Sequence, residues 1–106
     1  MEDKQIVQLY WQRQEAAITE SRRQYGGMLD GIAYGILQSR EDSEECVADT
    51  YLALWNCIPP QHPSRFRAFI AAVTRNLSLK RLRSRAGRHR DNRAGGRKRD
   101  LRVCFP

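Results

Sequence analysis

The sequence lacks the features that mark membrane, secreted or metal-binding proteins. No apolar run is long enough to span a bilayer, and the N-terminus, MEDKQIVQLYWQ, has no hydrophobic core, so neither a transmembrane helix nor a signal peptide is predicted. A cytoplasmic protein is therefore expected. The three cysteines are odd in number and widely spaced, and both histidines are isolated, so we expect no disulfide framework, no metal site and no cofactor.

Motifs typical of enzymes are also missing. The chain has no Gly-rich phosphate loop and no G-x-S-x-G elbow. Glu41, Glu45 and Asp49 are predicted to face outward together at steps of four, with no His or Cys partner at matching steps, so a solvated face or a docking face is favoured over a catalytic one. We therefore expect the protein not to be an enzyme.

Charge is distributed very unevenly along the 106 residues. Positions 1–64 hold 5 Lys/Arg against 10 Asp/Glu, whereas positions 65–106 hold 14 against 2, which gives net charges of −5 and +12. An acidic half joined to a basic half indicates two partners of opposite charge. A basic block of this density is typical of proteins that contact phosphate.

Apolar spacing in the first half predicts helices. Residues 3–25 are predicted to be helical, in one piece or two, with Asp3 as the N-cap, and Gly26–Gly27 should weaken or interrupt the helix before it continues over 28–38. Ser39 is a good cap for the next helix, whose first turns are acidic and therefore suit the helix dipole. Three prolines, at 59, 60 and 63, end that helix in a loop.

The last predicted helix spans about 64–85, with Ser64 as its cap. Phe66, Ile70, Val73 and Leu77 are spaced as one apolar stripe, and Thr74 and Ser78 are assigned to a polar face with the arginines. Beyond it the chain is rich in Gly and Arg, a composition that does not repay the entropy of ordering. The prediction is an all-α fold: a small bundle of three to four helices over 1–85, with a flexible basic tail or linker at 86–106.

The basic helix indicates contact with nucleic acid. No acid occurs between Ser64 and Gly87, so its charges repel one another unless phosphates neutralise them. Asn76, Thr74 and Ser78 offer hydrogen bonds to base edges. The aromatic residues Phe66, Phe69 and Trp55 either stack on unpaired bases or fill the core, and core packing is favoured for Phe69 and Trp55.

Two stretches resemble a known family. DSEECVADTYLALW at 42–55, a Pro-rich loop, and FRAFIAAVTRNLSLKRLR at 66–83 look like the first conserved domain of bacterial sigma factors, most closely the extracytoplasmic-function type. The resemblance covers about residues 4–85. Its specificity lies in the order of the parts: an acidic helix with an aromatic end, a short loop, and an apolar–basic helix carrying TRN.

The resemblance implies a transcription initiation domain with two binding surfaces. In that family the acidic helix docks on the clamp helices of the RNA polymerase β′ subunit, while the loop and last helix open the promoter −10 element and hold a flipped base of the non-template strand. The matching polymerase-binding positions are Glu44, Glu45, Ala48, Asp49, Tyr51 and Leu52. The matching DNA-binding positions are Asn56, Arg65, Phe66, Arg67, Arg75, Asn76, Ser78, Leu79, Lys80 and Arg83.

The sequence departs from the family pattern in two places. Ala48 stands where the family usually has Gln beside the acid, and no second, helix-turn-helix domain is recognisable before Pro106. Other readings also remain open. A general basic helical nucleic-acid-binding protein would explain residues 65–106 but would leave the acidic helix without a role. A third alternative is a pure interaction domain, for example one in which an anti-sigma partner covers both faces.

Overall fold

The computed structural model describes residues 1–86, with side chains to Ser84, and within that range it contains helices and no strand. The helices are α1 (Asp3–Trp11), α2 (Ala16–Leu37), α3 (Arg40–Cys57) and α4 (Phe66–Ala86). The predicted all-α bundle is confirmed. The predicted tail from residue 87 onward lies outside the described residues.

The helix is not interrupted at Gly26–Gly27 as predicted, and the break lies instead within residues 3–25, which were predicted to be helical in one piece or two. α2 runs without interruption through Gly26 and Gly27, and the chain turns instead at residues 12–15, where Arg13 adopts a left-handed conformation with φ 57°. Buried residues stabilise α2 on both sides of the glycines, Ala17 and Ser21 before them and Leu29 and Ala33 after them, because tertiary packing outweighs a helix-propensity cost of about 1 kcal/mol per glycine.

The helix starts agree only in part with the predicted caps. Ser39 caps α3 as predicted, since its hydroxyl accepts a hydrogen bond from the Asp42 amide at 3.3 Å. Asp3 is the first residue of α1 rather than its cap, which is Glu2, and α4 begins at Phe66, so Ser64 lies one position too early to cap it. Only the α3 cap was therefore predicted correctly.

One hydrophobic core joins all the described helices. The predicted stripe of Phe66, Ile70, Val73 and Leu77 is buried, as are Val47, Tyr51, Leu54 and Ile58 from α3 and the loop that follows it. The Phe66 ring lies 6.1 Å from the Tyr10 ring and 6.0 Å from the Tyr25 ring, so the start of α4 packs against both α1 and α2. The Tyr10 and Ser21 hydroxyl oxygens are hydrogen-bonded at 2.8 Å, and burial raises the pKa of Tyr10 to about 12.

Small polar side chains line the contact between α3 and α4. The Thr50 and Thr74 hydroxyls lie 3.0 Å apart, and the Cys46 thiol lies 3.3 Å from the Ser78 hydroxyl. Thr74 and Ser78 are completely buried, so the prediction that they share the exposed arginine face is wrong. The Thr50 and Ser78 hydroxyls donate to carbonyls of their own helices, which allows these polar groups to be buried where the helices meet.

The cysteines of the described residues differ. Cys46 is a buried free thiol, and burial raises its pKa, so it stays protonated and unreactive. Cys57 is disulfide-bonded, which was not predicted from the sequence. No described helix is both long and apolar enough to cross a membrane. The described residues also contain no group of three or more potential metal ligands.

Candidate functional site

The outer side of α3 carries five of the six predicted polymerase-binding residues. Their side chains are exposed at spacings of three and four, so they form one continuous surface. We call this surface the acidic face; it consists of Glu44, Glu45, Ala48, Asp49 and Leu52. Leu52 is 58% exposed, which makes it an apolar side chain standing among carboxylates.

Tyr51, the sixth residue, does not lie on that surface. It is only 5% exposed and belongs to the core. The Arg22 guanidinium lies over its ring, 4.9 Å from the centroid, and Gly26 leaves room above its hydroxyl. Burial raises the Tyr51 pKa, with Arg22 opposing that shift. In this structure Tyr51 therefore supports the acidic face from inside α3 and joins it to α2.

Six of the predicted DNA-binding residues lie on the accessible side of α4. Arg67, Arg75, Asn76 and Arg83 are exposed, whereas Leu79 and Lys80 are half-buried. Asn76, Lys80 and Arg83 follow one another at steps of four and three, so they share one edge of the helix. We call these six residues the basic face.

Phe66 and Ser78 lie in the core instead. Phe66 is 1% exposed and Ser78 is not exposed at all. The Phe66 ring packs among the aromatic side chains of α1 and α2, and the Ser78 hydroxyl bonds within α4 and lies against Cys46 of α3. Neither side chain is presented to a nucleic acid in this conformation, so both hold α4 in place.

Arg81 connects the two helices at their surfaces. Its guanidinium forms an ion pair with Glu45, and its Nε lies 3.8 Å from an Asp42 carboxylate oxygen. Arg81 and Asp42 are each about one third exposed, and Glu45 is more exposed still. At Arg81 a cation of α4 is therefore neutralised by carboxylates of α3, one of which, Glu45, belongs to the acidic face.

The remaining two candidates, both exposed, lie at the two ends of the loop between α3 and α4: Asn56 is in the last turn of α3, and Arg65 directly precedes α4. Arg65 and Arg67 also line an open cleft of about 560 Å³ between the start of α4 and the first two helices. The cleft is completed by Ser64, Ala68 and Ala71 together with Asp3 of α1 and Met28 of α2. Two cations and a serine hydroxyl therefore border a space open to solvent.

Trp11 at the end of α1 and Arg13 just after it hold this loop, an arrangement that was not predicted from the sequence. An Arg13 guanidinium nitrogen donates to the Trp55 carbonyl at 2.8 Å and to the Ile58 carbonyl at 3.1 Å, and the group lies 3.9 Å from the Trp55 ring centroid. The Trp11 indole N–H donates to the Gln61 carbonyl at 3.1 Å. The last carbonyls of a helix have no partner within the helix and carry partial negative charge, so the Arg13 cation stabilises the C-terminal end of α3. In the sequence, nothing distinguishes Arg13 from an ordinary surface arginine between two glutamines.

The comparison with protein families identifies the fold. The model described as Sigma-70 region 2 matches residues 22–88, which is more than half of the chain. The chain belongs to the sigma-70 region 2 family. Searches of curated proteins and of solved structures gave no significant match.

For this sigma-70 region 2 domain, the family implies interaction with RNA polymerase core and with promoter DNA at the −10 element. The family consists of transcription initiation factor domains and is not a family of enzymes. The matched residues contain α3, the loop and α4, so both faces and the cleft-lining arginines fall inside the region 2 match. Trp11 and Arg13 fall outside it, although they hold the loop.

Proposed function

We propose that this region 2 domain belongs to a cytoplasmic sigma factor of the extracytoplasmic-function type and binds two partners at once. The acidic face docks on the clamp helices of the polymerase β′ subunit. The basic face and the loop bind the non-template strand of the −10 element and help to melt it. The observation that carries this proposal is the exposure of two oppositely charged surfaces on adjacent helices.

The acidic face has the composition of a protein-docking surface. Exposed carboxylates steer a basic partner towards it, and the exposed Leu52 supplies an apolar contact at its C-terminal end. Because Glu45 is already paired with Arg81, Glu44 is the better carboxylate for the partner to engage first. An anti-sigma factor that covered Leu52 and Glu44 would block this docking, and we propose such a partner as the means of regulation.

The basic face suits DNA that has been opened. Its exposed arginines provide contacts to phosphate, and Asn76 on the same helix provides donor and acceptor groups for a base edge. Holding an unpaired base offsets an unstacking cost of a few kcal/mol, which favours single strands over duplex. The cleft beside Arg65 and Arg67 is the space in which we place such a base.

Binding measurements on the whole chain test both halves of the proposal. We expect the chain to be retained by RNA polymerase core, and to bind single-stranded −10 DNA more tightly than the corresponding duplex. Absence of binding to core would overturn the polymerase half. Equal affinity for both forms of DNA would overturn the melting half and favour the alternative of a general basic nucleic-acid-binding protein.

Two neighbouring substitutions separate base recognition from phosphate contact. Asn76→Ala should reduce discrimination between sequences, whereas Lys80→Ala should lower affinity for all sequences and reduce the salt dependence of binding by about one unit of slope. The measurement is a salt titration of both variants against a panel of single-stranded sequences. If the two variants respond alike on every sequence, Asn76 does not read a base.

A further inference from the structure

An exposed pair of aromatic rings joins the end of α1 to the loop, and neither ring has been given a contact in the function proposed above. Trp11, the last residue of α1, is 40% exposed. Its ring centroid lies 5.8 Å from that of His62, an exposed loop residue, with the two planes inclined at 50°. The preceding residue, Tyr10, points into the core and packs against Trp55 and Phe66. Adjacent residues of α1 thus send one ring inward and one ring to the surface.

The Trp11 ring is held in place at the surface. Its indole N–H donates to the Gln61 carbonyl, and the Gln61 amide donates to the Cys57 carbonyl at 2.9 Å, so the ring is tied to the backbone that ends α3. Arg13 fixes the start of the same loop through the Ile58 carbonyl. A large aromatic side chain fixed in an exposed position offers a stacking surface with little further loss of conformational freedom on binding.

The charge around these rings fits a polyanion. No Asp or Glu occurs between Asp3 and Glu15, nor between Asp49 and Asp91, so the end of α1, the loop and α4 contribute no carboxylate. The cations of these segments include Arg13 beside Trp55 and Arg65 at the end of the loop. The loop is followed directly by α4 and the basic face that begins at Arg67, and the hydrogen bonds of Trp11 and Arg13 bring the end of α1 to this loop.

We propose that Trp11 and His62 form a stacking platform for an unpaired base of single-stranded DNA, beyond the contacts made by the basic face. This platform rests on the proposed function, because it extends the same single-strand surface, but Trp11 itself lies outside the region 2 match. Aromatic rings stack on bases largely without regard to sequence, so the platform adds affinity for open DNA rather than sequence discrimination.

Tryptophan fluorescence tests the platform directly, because the chain contains only two tryptophans. In the Trp55→Phe variant, Trp11 is the sole emitter, and its fluorescence should be quenched by a single-stranded DNA of mixed sequence. An oligonucleotide of equal length made of abasic sugar-phosphate units should cause no quenching, since it keeps the phosphates and lacks the bases. Binding without quenching, followed in parallel by anisotropy of a labelled strand, would overturn the platform.

Two further variants separate stacking from support of the loop. Trp11→Leu should weaken single-strand binding by about fivefold to a hundredfold, the range found when a stacking aromatic is removed. Trp11→Phe loses the hydrogen bond to Gln61 but keeps a ring, so its affinity should stay close to that of the unaltered chain. Equal losses in both variants would show that Trp11 only supports the loop and would overturn the proposal.

The outcomes also distinguish the platform from the proposed function. If the unaltered chain prefers single strands and Trp11→Leu binds them equally well, the platform alone is wrong. If the unaltered chain shows no binding to single strands, both the platform and the DNA half of the proposed function are wrong. Circular dichroism of each variant confirms that the comparison is made between folded chains.

Discussion

Helices α3 and α4 pack against each other, yet they present surfaces of opposite charge. The exposed side of α3 carries Glu44, Glu45 and Asp49, whereas no acid occurs anywhere in α4. The contact between the two helices is lined by hydroxyls and a thiol that form hydrogen bonds with each other. Their charges meet at Arg81, which pairs with Glu45 and lies near Asp42. One small bundle therefore presents two separate exposed surfaces of opposite charge.

The largest expected effect on stability comes from comparing two leucines of α3, one that faces the core and one that faces solvent. Leu54 is completely buried, whereas Leu52 is 58% exposed. Leu54→Ala should lower the free energy of unfolding by about 2–5 kcal/mol, and Leu52→Ala should change it by less than about 0.5 kcal/mol. Denaturant unfolding of both variants is the measurement. Leu52→Ala should instead weaken binding to polymerase core, and a stable variant with unchanged core binding would remove Leu52 from the docking surface.

A second pair on α4 tests the separation between core and surface. Ser78 is buried and Arg75 is exposed, although both were predicted to bind DNA. Ser78→Ala should cost about 0.5–1.5 kcal/mol of stability through its lost hydrogen bond and leave the DNA affinity of the folded chain unchanged. Arg75→Ala should weaken DNA binding and leave the free energy of unfolding nearly unchanged. Unfolding curves and DNA titrations on both variants decide this, and weaker DNA binding by folded Ser78→Ala would return Ser78 to the interface.

Ala48 offers a way to strengthen the acidic face. It is exposed between the acids Glu45 and Asp49, at the position where the resemblance described above led us to expect Gln. If the new amide makes one hydrogen bond to the clamp helices, Ala48→Gln should tighten core binding by about twofold to tenfold, which corresponds to about 0.5–1.5 kcal/mol. Ala48→Leu serves as the control for added size without a hydrogen bond. Equal gains from both substitutions would show that apolar contact, not the amide, strengthens the docking.

The smallest effect is expected where the two charged regions meet. Arg81→Ala removes the pair with Glu45, and because both side chains are partly exposed the loss of stability should be about 0.2–1 kcal/mol and should shrink as salt rises. Arg83→Ala, at an exposed position of the same helix, is the matched control. Thermal unfolding at low and high salt measures the difference. A loss for Arg81→Ala that does not change with salt would mean that its packing, rather than its charge, joins the helices.

The sequence predicted the apolar stripes and the charge separation, because both depend on spacing along single helices. It also predicted the Ser39 cap, whose signal is local. It failed for Thr74 and Ser78, since a hydroxyl on a helix is compatible with solvent or with a tight helix contact, and only the partner helix decides. It missed Arg13 for a similar reason, because its acceptors lie more than 40 positions away in the chain.

The position of the first helix break illustrates the same limit. Gly26 and Gly27 weaken a helix locally, but buried residues on either side keep α2 continuous. The actual turn at residues 12–15 contains no glycine or proline, and Arg13 adopts its left-handed conformation while its side chain binds carbonyls at the end of α3. A long-range contact, rather than a turn-forming residue, therefore marks the end of α1.

Charge reversal on each face, measured against both partners, tests the central claim most directly. Glu44→Lys and Arg75→Glu change exposed residues of the acidic face and the basic face. The account predicts that Glu44→Lys weakens binding to RNA polymerase core by about tenfold or more without weakening binding to single-stranded −10 DNA, and that Arg75→Glu does the opposite. If either folded variant weakens binding to both partners to the same extent, the two faces are not separate binding surfaces.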